Sequence, residues 1–497
     1  MSFAEAWTAA KAQPVDEDAL DTLARAAIEE WEEERALEMI ASAARQSNSA
    51  RLWHWTGTLQ RSLDDHLEAF ASFREASRLD PASQLIAHAL ARTSFEAGWD
   101  SVDWFEKAER LGPPSSGILL GKAAARFAIG EGTTAADEID RILDQVPHWF
   151  DGHRQLAQLR AVLGEKERAT ESIERALRVR PDDAALWFLL LDQNIAASEF
   201  DQLDSNVRRA RATGLSNRLD SYEAIAAGEL GDGERADRLF ASPRSPPVWH
   251  VRHLLRTGRA ADALPIIDSV LAGPDATSAW PYAMTAWRAV DDERYRWLIG
   301  DSGFVQSFDL SSDLPPLDRL ADLVRSLHHA SGEYLDQSVR GGTQTDGPLL
   351  SRTEPEIRQL RVAIMRAVES YVAALPEPEP NHPLLGPRRD RKPRFAGSWS
   401  VRLRETGFHE SHVHSHGWIS SALYLVLPDG GDGAARDRGT LELGAPPSGF
   451  NLKQPPLHEI EPEVGRLVLF PSWMWHGTRP FAAGERMTVA FDVKRPV

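Results

Sequence analysis

The pattern of apolar and polar positions divides the chain into two main parts. Up to about residue 300, Ala, Leu, Arg and Glu dominate, and apolar residues recur at helical spacing. After about residue 395, β-branched and aromatic runs alternate with turns rich in Gly and Pro. The pattern predicts an α+β multidomain protein. We expect a helical domain at residues 1–300, supporting helices and a linker at residues 301–395, and a β domain at residues 396–497.

The helical part is built from repeats. Four prolines that follow helix-like runs lie 32, 34 and 34 residues apart, at Pro81, Pro113, Pro147 and Pro181. A small residue and, four positions later, a large apolar residue precede three of them: Ala69 and Phe73, Ala135 and Ile139, Ala169 and Ile173. The small residue lets two helices approach, the large one fills the groove between them, and the proline ends the second helix.

This period resembles the tetratricopeptide repeat, a helix–turn–helix unit of about 34 residues. The likeness is good for residues 50–81 and 148–181 and weak from residue 182 to about residue 300. It implies an α-solenoid whose groove binds a peptide or a protein. Candidate residues for that groove, with a place in the core as the alternative, are Trp53, His54, Trp55 and Trp187.

The middle of the chain predicts two helices joined by a polar segment. One helix covers residues 314–330, and the second begins near Thr353, which can act as its cap, with Pro355 in the first turn. The segment between them, residues 336–348, is polar and rich in Gly. It is either an ordinary surface loop or the rim of an active site. The candidate rim residues in it are Gln337, Arg340, Thr343 and Gln344.

The last hundred residues predict many short strands, which is typical of a sandwich or a barrel. Turn-forming residues separate these strands, as in the run at 428–433. The predicted strands cover residues 398–404, 413–427, 440–443, 459–461, 467–470 and 487–493.

Histidines cluster where the longest of these strands begins. His412 and His414 are two positions apart, so on an extended strand their side chains face the same side. A third ligand for a metal could come from His476, after a later strand, and Glu410 is an alternative acidic ligand. The remaining two, His409 and His416, are expected at the surface or around the ligands. Because the chain has no cysteine, any metal would be bound by nitrogen and oxygen.

The order of these residues resembles the Fe(II)/2-oxoglutarate-dependent oxygenases, whose fold is the double-stranded β-helix, or jelly roll. In that order a His-x-ligand pair is followed by a distant His and then by Arg-x-Ser/Thr. The closer likeness is to oxygenases of this group that carry N-terminal tetratricopeptide repeats. The segments that carry the resemblance are residues 337–345, 397–401, 412–420, 470–478 and 490–492.

The resemblance implies a site for Fe(II), for 2-oxoglutarate and for O2 as co-substrate. It assigns the metal to His412, His414 and His476. It assigns 2-oxoglutarate to Arg486 and Thr488, with a hydrogen bond from Tyr424, and it adds Trp418 and Trp475 to the rim. One residue departs from the pattern, because His414 stands where the family usually has a carboxylate. Zinc, nickel and copper also suit three imidazoles.

The expected function is hydroxylation of a peptide or protein side chain that the repeats recruit, with release of succinate and CO2. One alternative is a three-histidine, cupin-like dioxygenase that does not use 2-oxoglutarate. Others are a repeat scaffold with a metal-stabilised jelly roll and hydroxylation of a small molecule, with the repeats used for assembly.

The charge and the hydropathy of the chain argue against some classes of partner. The net charge of −18 argues against nucleic acid and anionic membranes as partners. No apolar run approaches about 18 residues, the length needed to span a bilayer. The first residues are acidic and amphipathic, unlike a signal peptide. We therefore expect a cytoplasmic protein.

Overall fold

The computed structural model describes residues 1–215, 218–300, 304–335, 337–428 and 438–496. Within these ranges the helices are α1 Phe3–Ala12, α2 Glu17–Glu30, α3 Glu33–Ser47, α4 Ala50–Ser62, α5 His66–Leu79, α6 Gln84–Glu96, α7 Val102–Arg110, α8 Ser116–Ala128, α9 Gly132–Gln145, α10 Phe150–Val162, α11 Glu171–Val179, α12 Ala184–Ala196, α13 Phe200–Ala212, α14 Leu219–Leu230, α15 Gly233–Phe240, α16 Pro247–Arg256, α17 Ala260–Leu271, α18 Ala276–Ala289, α19 Arg294–Ile299, α20 Leu317–Ser326 and α21 Pro355–Ala374. The strands are β1 Gln306–Asp309, β2 Val339–Gln344, β3 Phe395–His409, β4 Gly417–Val426, β5 Leu441–Leu443, β6 His458–Ile460, β7 Arg466–Pro471, β8 His476–Thr478 and β9 Glu485–Lys494.

The predicted solenoid is confirmed, and its helices pack as the small-and-large pattern requires. All six residues of the predicted pairs are buried. In the first of these repeats, Phe73 of α5 fills the space above Gly57 of α4, where an added Cβ would lie 2.8 Å from the ring. The groove prediction is wrong for Trp187, because this side chain is 4% exposed and its indole donates to the Pro181 carbonyl (2.8 Å). Helix pairs continue to α19, through the region where the sequence register weakens.

The predicted jelly roll is also confirmed by the order of the strands. A six-stranded antiparallel sheet has the order β1-β7-β4-β9-β3-β2, and a three-stranded sheet has the order β6-β5-β8. Along the chain β4, β7 and β9 belong to the large sheet, while β5, β6 and β8 belong to the small one. The chain therefore passes repeatedly between two facing sheets, as in a double-stranded β-helix.

Two local predictions need correction. The strand predicted at 413–427 begins only at Gly417, so the two neighbouring histidines precede it instead of opening it. The polar segment at 336–348 is not a simple loop, because β2 forms in it and pairs with β3. Its register shifts between Arg340 and Gly342, and Gly341 has a φ of 70°, a left-handed conformation that favours glycine. Residue 336 and residues 429–433 of the predicted turn lie outside the described residues.

The second predicted supporting helix forms as α21, but Thr353, its predicted cap, makes other contacts. The apolar residues of this helix are buried against the large sheet, together with those of α20. Thr353 does not cap the helix; its hydroxyl donates to the Ala97 carbonyl (3.0 Å) and accepts from the Trp99 indole (2.9 Å). Thr353 therefore joins the second half of the chain to the solenoid.

The helical part contacts the supporting region at several points along the solenoid. In several repeats, the end of the first helix or the turn that follows it faces the supporting region. A backbone or side-chain hydrogen bond joins the two parts at each of these places. Four such contacts are Glu33 with Arg394 (2.6 Å), Asp64 with Arg361 (3.1 Å), Ala97 with Thr353 (3.1 Å) and Val162 with Ser331 (2.7 Å). The solenoid is thus fixed to the supporting region at several points.

A shared hydrophobic core crosses residue 300. Helices α16 to α19 bury apolar residues against the β domain, in one cluster with Phe470 and Trp475. The Trp475 indole donates to the Pro281 carbonyl (3.1 Å) and the Thr285 hydroxyl (2.9 Å) of α18. The division at residue 300 stays a prediction, but the elements on either side of it pack together.

None of the described helices is long and apolar enough to span a bilayer. The cytoplasmic location and the absence of nucleic-acid binding stay predictions.

We expect the substitution Trp475→Phe to lower the free energy of unfolding by about 1–3 kcal/mol. Phenylalanine keeps an aromatic ring in the core but leaves the Thr285 hydroxyl without the indole donor. Chemical denaturation followed by circular dichroism measures the change. Unchanged stability together with a raised KM for a substrate would restore the rim role that the sequence predicts for Trp475.

Candidate metal centre

Three histidines meet at one end of a cavity between the two sheets. His412, His414 and His476 each offer one ring nitrogen, and these nitrogens all lie within 4.8 Å of one another. His412 and His476 are held by a pair of backbone hydrogen bonds, each 2.9 Å long, which extend the small sheet beyond β8. His414 is fixed separately, because its amide donates to the Ser472 carbonyl (3.0 Å).

In each of the three histidines, the ring nitrogen that faces away from the other two rings is hydrogen-bonded. His412 Nδ1 lies 2.8 Å from the Glu410 carbonyl, His476 Nδ1 lies 3.0 Å from the Met474 carbonyl, and His414 Nδ1 lies 2.8 Å from the Asp492 carboxylate. Since these oxygens only accept, each Nδ1 carries the proton and each Nε2 keeps its lone pair. The arrangement gives three Nε2 donors for one metal ion.

Burial keeps the imidazoles of His412 and His476 neutral. Burial and, to a smaller extent, the neighbouring His414 lower the pKa of His412 to about 3. Burial also lowers the pKa of His476 well below its usual value, with His412 and His414 adding to the effect. Only a neutral imidazole can bind a metal, so His412 and His476 are ready to do so at neutral pH.

The other residues of the histidine segment have different places. His409 lines the same cavity and its ring stacks on that of His412, with centroids 5.8 Å apart. His416 is exposed. Glu410 is not placed to be a ligand, because its side chain is 54% exposed and is paired with Arg340 (2.8 Å).

The far end of the cavity carries a buried cation. Arg486 is 2% exposed, its guanidinium lies over the Tyr424 ring (5.1 Å), and no carboxylate of the described residues forms an ion pair with it. Its Nε and the Tyr424 hydroxyl are buried without hydrogen-bond partners among the described residues. Thr488 lines the cavity beside them. Burying a charge and a hydroxyl unpaired is costly, so this end suits a ligand with a carboxylate.

The six predicted rim residues do not line this cavity, among the residues that the structure describes. Trp418 and Trp475 are core residues, and the Trp418 indole donates to the Leu384 carbonyl (2.9 Å). Thr343 is bonded to His328 (2.9 Å). The backbone of Gln344 pairs with that of Val401 on β3. Gln337 and Arg340 are close to the site but bond to each other, through the Gln337 carbonyl (2.8 Å).

Two functional neighbours were missed by the sequence analysis. The Ser338 hydroxyl lies within hydrogen-bond distance of His412 Nε2 (3.1 Å) and His409 Nδ1 (3.2 Å). Asp492 is bonded to His414, and the alternation along β9 could have shown it, since it shares strand parity with Arg486 and Thr488. The sequence carries no comparable signal for Ser338, because its role depends on how β2 pairs with β3.

Comparisons with known proteins agree with this geometry. Residues 397–492 match the family model described as "Putative 2OG-Fe(II) oxygenase". No curated protein sequence matches the chain significantly.

Several solved structures are similar to parts of the chain. A Pseudomonas putida prolyl-4-hydroxylase is 19% identical, with 40% of this chain and 95% of that chain covered and a TM-score of 0.26. YrrB, a TPR protein with an unusual peptide-binding site, is 18% identical, with 37% and 95% covered and a TM-score of 0.29. HygX from Streptomyces hygroscopicus, with nickel and 2-oxoglutarate bound, is 12% identical, with 41% and 87% covered and a TM-score of 0.27. Likenesses at TM-scores this low carry no weight for the activity of this chain.

The family match covers the small sheet, most of β3, β4, β7 and β9 of the large sheet, the three histidines and the buried arginine. Residues 397–492 therefore form a 2OG-Fe(II) oxygenase domain, a 2-oxoglutarate-dependent dioxygenase that uses Fe(II), 2-oxoglutarate and O2.

Proposed function

We propose that this chain hydroxylates a peptide or protein side chain that its helical repeats hold, and that it releases succinate and CO2. The observation that carries the chemistry is the buried guanidinium of Arg486, without a carboxylate partner in the described chain, in the same cavity as three metal-binding nitrogens. A binding scaffold with a structural metal would have no use for such a cation.

His412, His414 and His476 hold Fe(II) through their Nε2 atoms in this proposal. Three protein ligands would leave positions on the metal open for the co-substrates. When bound, Fe(II) would activate O2, which takes two electrons from 2-oxoglutarate, as this is converted to succinate and CO2, and two from the C–H bond that becomes C–OH. The apolar walls formed by Val401, Leu441 and Phe470 exclude water from this chemistry.

Arg486 binds the far carboxylate of 2-oxoglutarate. Its guanidinium can offer two parallel N–H donors, and Thr488 adds a hydroxyl. Burial raises the pKa of Tyr424, so its phenol stays protonated and can donate the hydrogen bond that it lacks in the protein. Three hydrogen-bond donors, from Arg486, Thr488 and Tyr424, therefore bind one end of the co-substrate.

The solenoid is connected to the metal site by one short segment. The Ser331 and Gly332 amides donate to the Val162 carbonyl at the end of α10 (2.7 and 2.9 Å). The Leu335 amide donates to the Gln158 side chain on the same helix (3.1 Å). Three residues after Leu335, the Ser338 hydroxyl reaches His412. This path supports the view that α10 borders the route to the site.

A row of residues on neighbouring repeats supports peptide binding. Arg154, Phe188 and Tyr222 lie 34 residues apart in the sequence, on α10, α12 and α14. On α10, Arg154 comes one helical turn before Gln158. The rings of Phe188 and Tyr222 are stacked (5.9 Å), and the Arg218 guanidinium lies over Phe188 (5.0 Å). Half-exposed aromatic rings with nearby cations are suited to an extended peptide.

The first test supplies the protein with Fe(II) and 2-oxoglutarate without oxygen, adds a peptide library, and then admits O2. We expect succinate release together with a peptide whose mass has increased by one oxygen atom. Chromatography and mass spectrometry measure the two products. No succinate with any peptide, and none in its absence, contradicts the proposal.

We expect Arg486→Met to raise the KM for 2-oxoglutarate by about 100-fold or more, because the carboxylate then has no cation. The metal-free variant should be at least as stable as the parent, since it no longer buries an unpaired charge. Succinate release and thermal unfolding measure these effects, with Arg340→Met as the control on the surface. Turnover that survives Arg486→Met would favour the cupin-like alternative.

The double substitution Phe188→Ala with Tyr222→Ala should raise the KM for a peptide found in the first test by about 10-fold. Succinate release in the absence of peptide should not change, because neither ring lines the cavity. The control is Val179→Ala, at a position that is 78% exposed. An unchanged KM would assign substrate binding to another surface.

A further inference from the structure

The unusual feature of the metal centre is His414, because a carboxylate is expected at this position. The three histidines differ in what holds their Nδ1 protons. His412 and His476 donate to backbone carbonyls, which are neutral. His414 donates to the side-chain carboxylate of Asp492 (2.8 Å). Among the three, only His414 is bonded to a full negative charge within the described residues.

Asp492 is held in place for this contact. It lies opposite Ser420 in the register of β9 and β4, and the Ser420 hydroxyl donates to the same carboxylate oxygen that His414 contacts (2.6 Å). The Ser420 and Ser472 hydroxyls are 2.9 Å apart. Gly417 permits the close packing, because a Cβ there would lie 2.5 Å from the Ser472 hydroxyl and 3.4 Å from the Asp492 Cβ.

The charge of Asp492 is not shared with a cation. Its side chain is 14% exposed, and in the described chain the only ion-pair partner of Asp492 is His414. A carboxylate in such a place is weakly screened by water and acts mainly on its nearest donor. A strong acceptor on Nδ1 pushes electron density onto the ring and raises the basicity of Nε2.

We infer that Asp492 is a positioning residue that gives His414 the character of an anionic ligand. The His414–Asp492 pair then supplies, through the imidazole ring, the negative charge that a directly bound carboxylate supplies elsewhere. This inference rests on the metal site of the proposed function but not on its substrate or on turnover.

The charges of the whole site are consistent with this role. Fe(II) brings two positive charges and Arg486 one, while 2-oxoglutarate brings two negative charges and Asp492 one. The sum is zero, so the buried complex carries no net charge. Without Asp492 one positive charge would stay uncompensated among largely buried groups, which is costly.

The test measures metal binding directly. We expect Asp492→Asn to weaken the binding of Fe(II) and of Co(II) by about 10- to 100-fold. The amide keeps the shape and an acceptor oxygen, so it removes charge more than contact. Competition with a chelating dye gives the affinities, and thermal unfolding of the metal-free protein shows whether the fold is kept. The matched control is Asp18→Asn, the same change at a side chain that is 87% exposed, which should leave the affinity unchanged.

A second pair of variants keeps the inference testable if Asp492→Asn does not fold well. His414→Asp places two carboxylates against each other, so it should bind metal poorly while Asp492 is present. Adding Asp492→Asn to His414→Asp should then strengthen metal binding, which reverses the sign of the effect of Asp492→Asn alone. Only a role that depends on charge predicts this reversal.

Two results would overturn the inference. One is an affinity of Asp492→Asn within twofold of the parent protein. The other is a loss on Asp492→Asn that is the same in the parent protein and in the His414→Asp variant, which would mean that Asp492 acts independently of the residue at position 414. Neither depends on finding a substrate, so failure of the inference and failure of the proposed activity can be told apart.

Discussion

The site depends on one backbone pairing, that of His412 with His476. These residues are 64 positions apart in the sequence, and two hydrogen bonds of 2.9 Å join them outside any long strand. The pairing tolerates little bulk, because a Cβ on Gly477 would lie 2.9 Å from the His409 carbonyl. It brings two Nε2 atoms together, and the tie from His414 to Ser472 adds the third. The metal centre is thus a consequence of how the small sheet closes.

That closure depends in turn on the helices before it. Trp475 precedes His476 and is buried against α18, with its indole bonded to Pro281 and Thr285. Tyr282 packs edge-on against the same indole (5.6 Å). The strand that carries the third ligand therefore has helical neighbours behind it and the cavity in front of it. This is why α16 to α19 belong to the architecture of the site as well as to the solenoid.

The sequence was informative where a pattern repeats or a ligand spacing is fixed. The 34-residue period predicted the solenoid, and the alternation along β9 placed Arg486 and Thr488 on one side. Short elements could not be predicted, because strands such as β2 and β8 are stabilised by their partners more than by their own residues. The prediction that Trp418 and Trp475 lie at the rim was wrong for a related reason. A tryptophan within a motif can pack in the core behind a ligand residue instead of lining the cavity. Tertiary contacts, which a single sequence does not display, decide between these two roles.

Two kinds of contact hold the solenoid in place, and one of them depends on solenoid side chains, as in the ion pairs of Glu33 with Arg394 and of Asp64 with Arg361. The other kind uses the backbone. On the solenoid side, backbone carbonyls accept at the turns, as at Trp31, Ala97 and Val162. A carbonyl at a turn is present whatever residue occupies the position, so this part of the attachment does not depend on the residues of the exposed helix faces. In the proposed function, the residues that meet the peptide can therefore change while these backbone contacts stay the same.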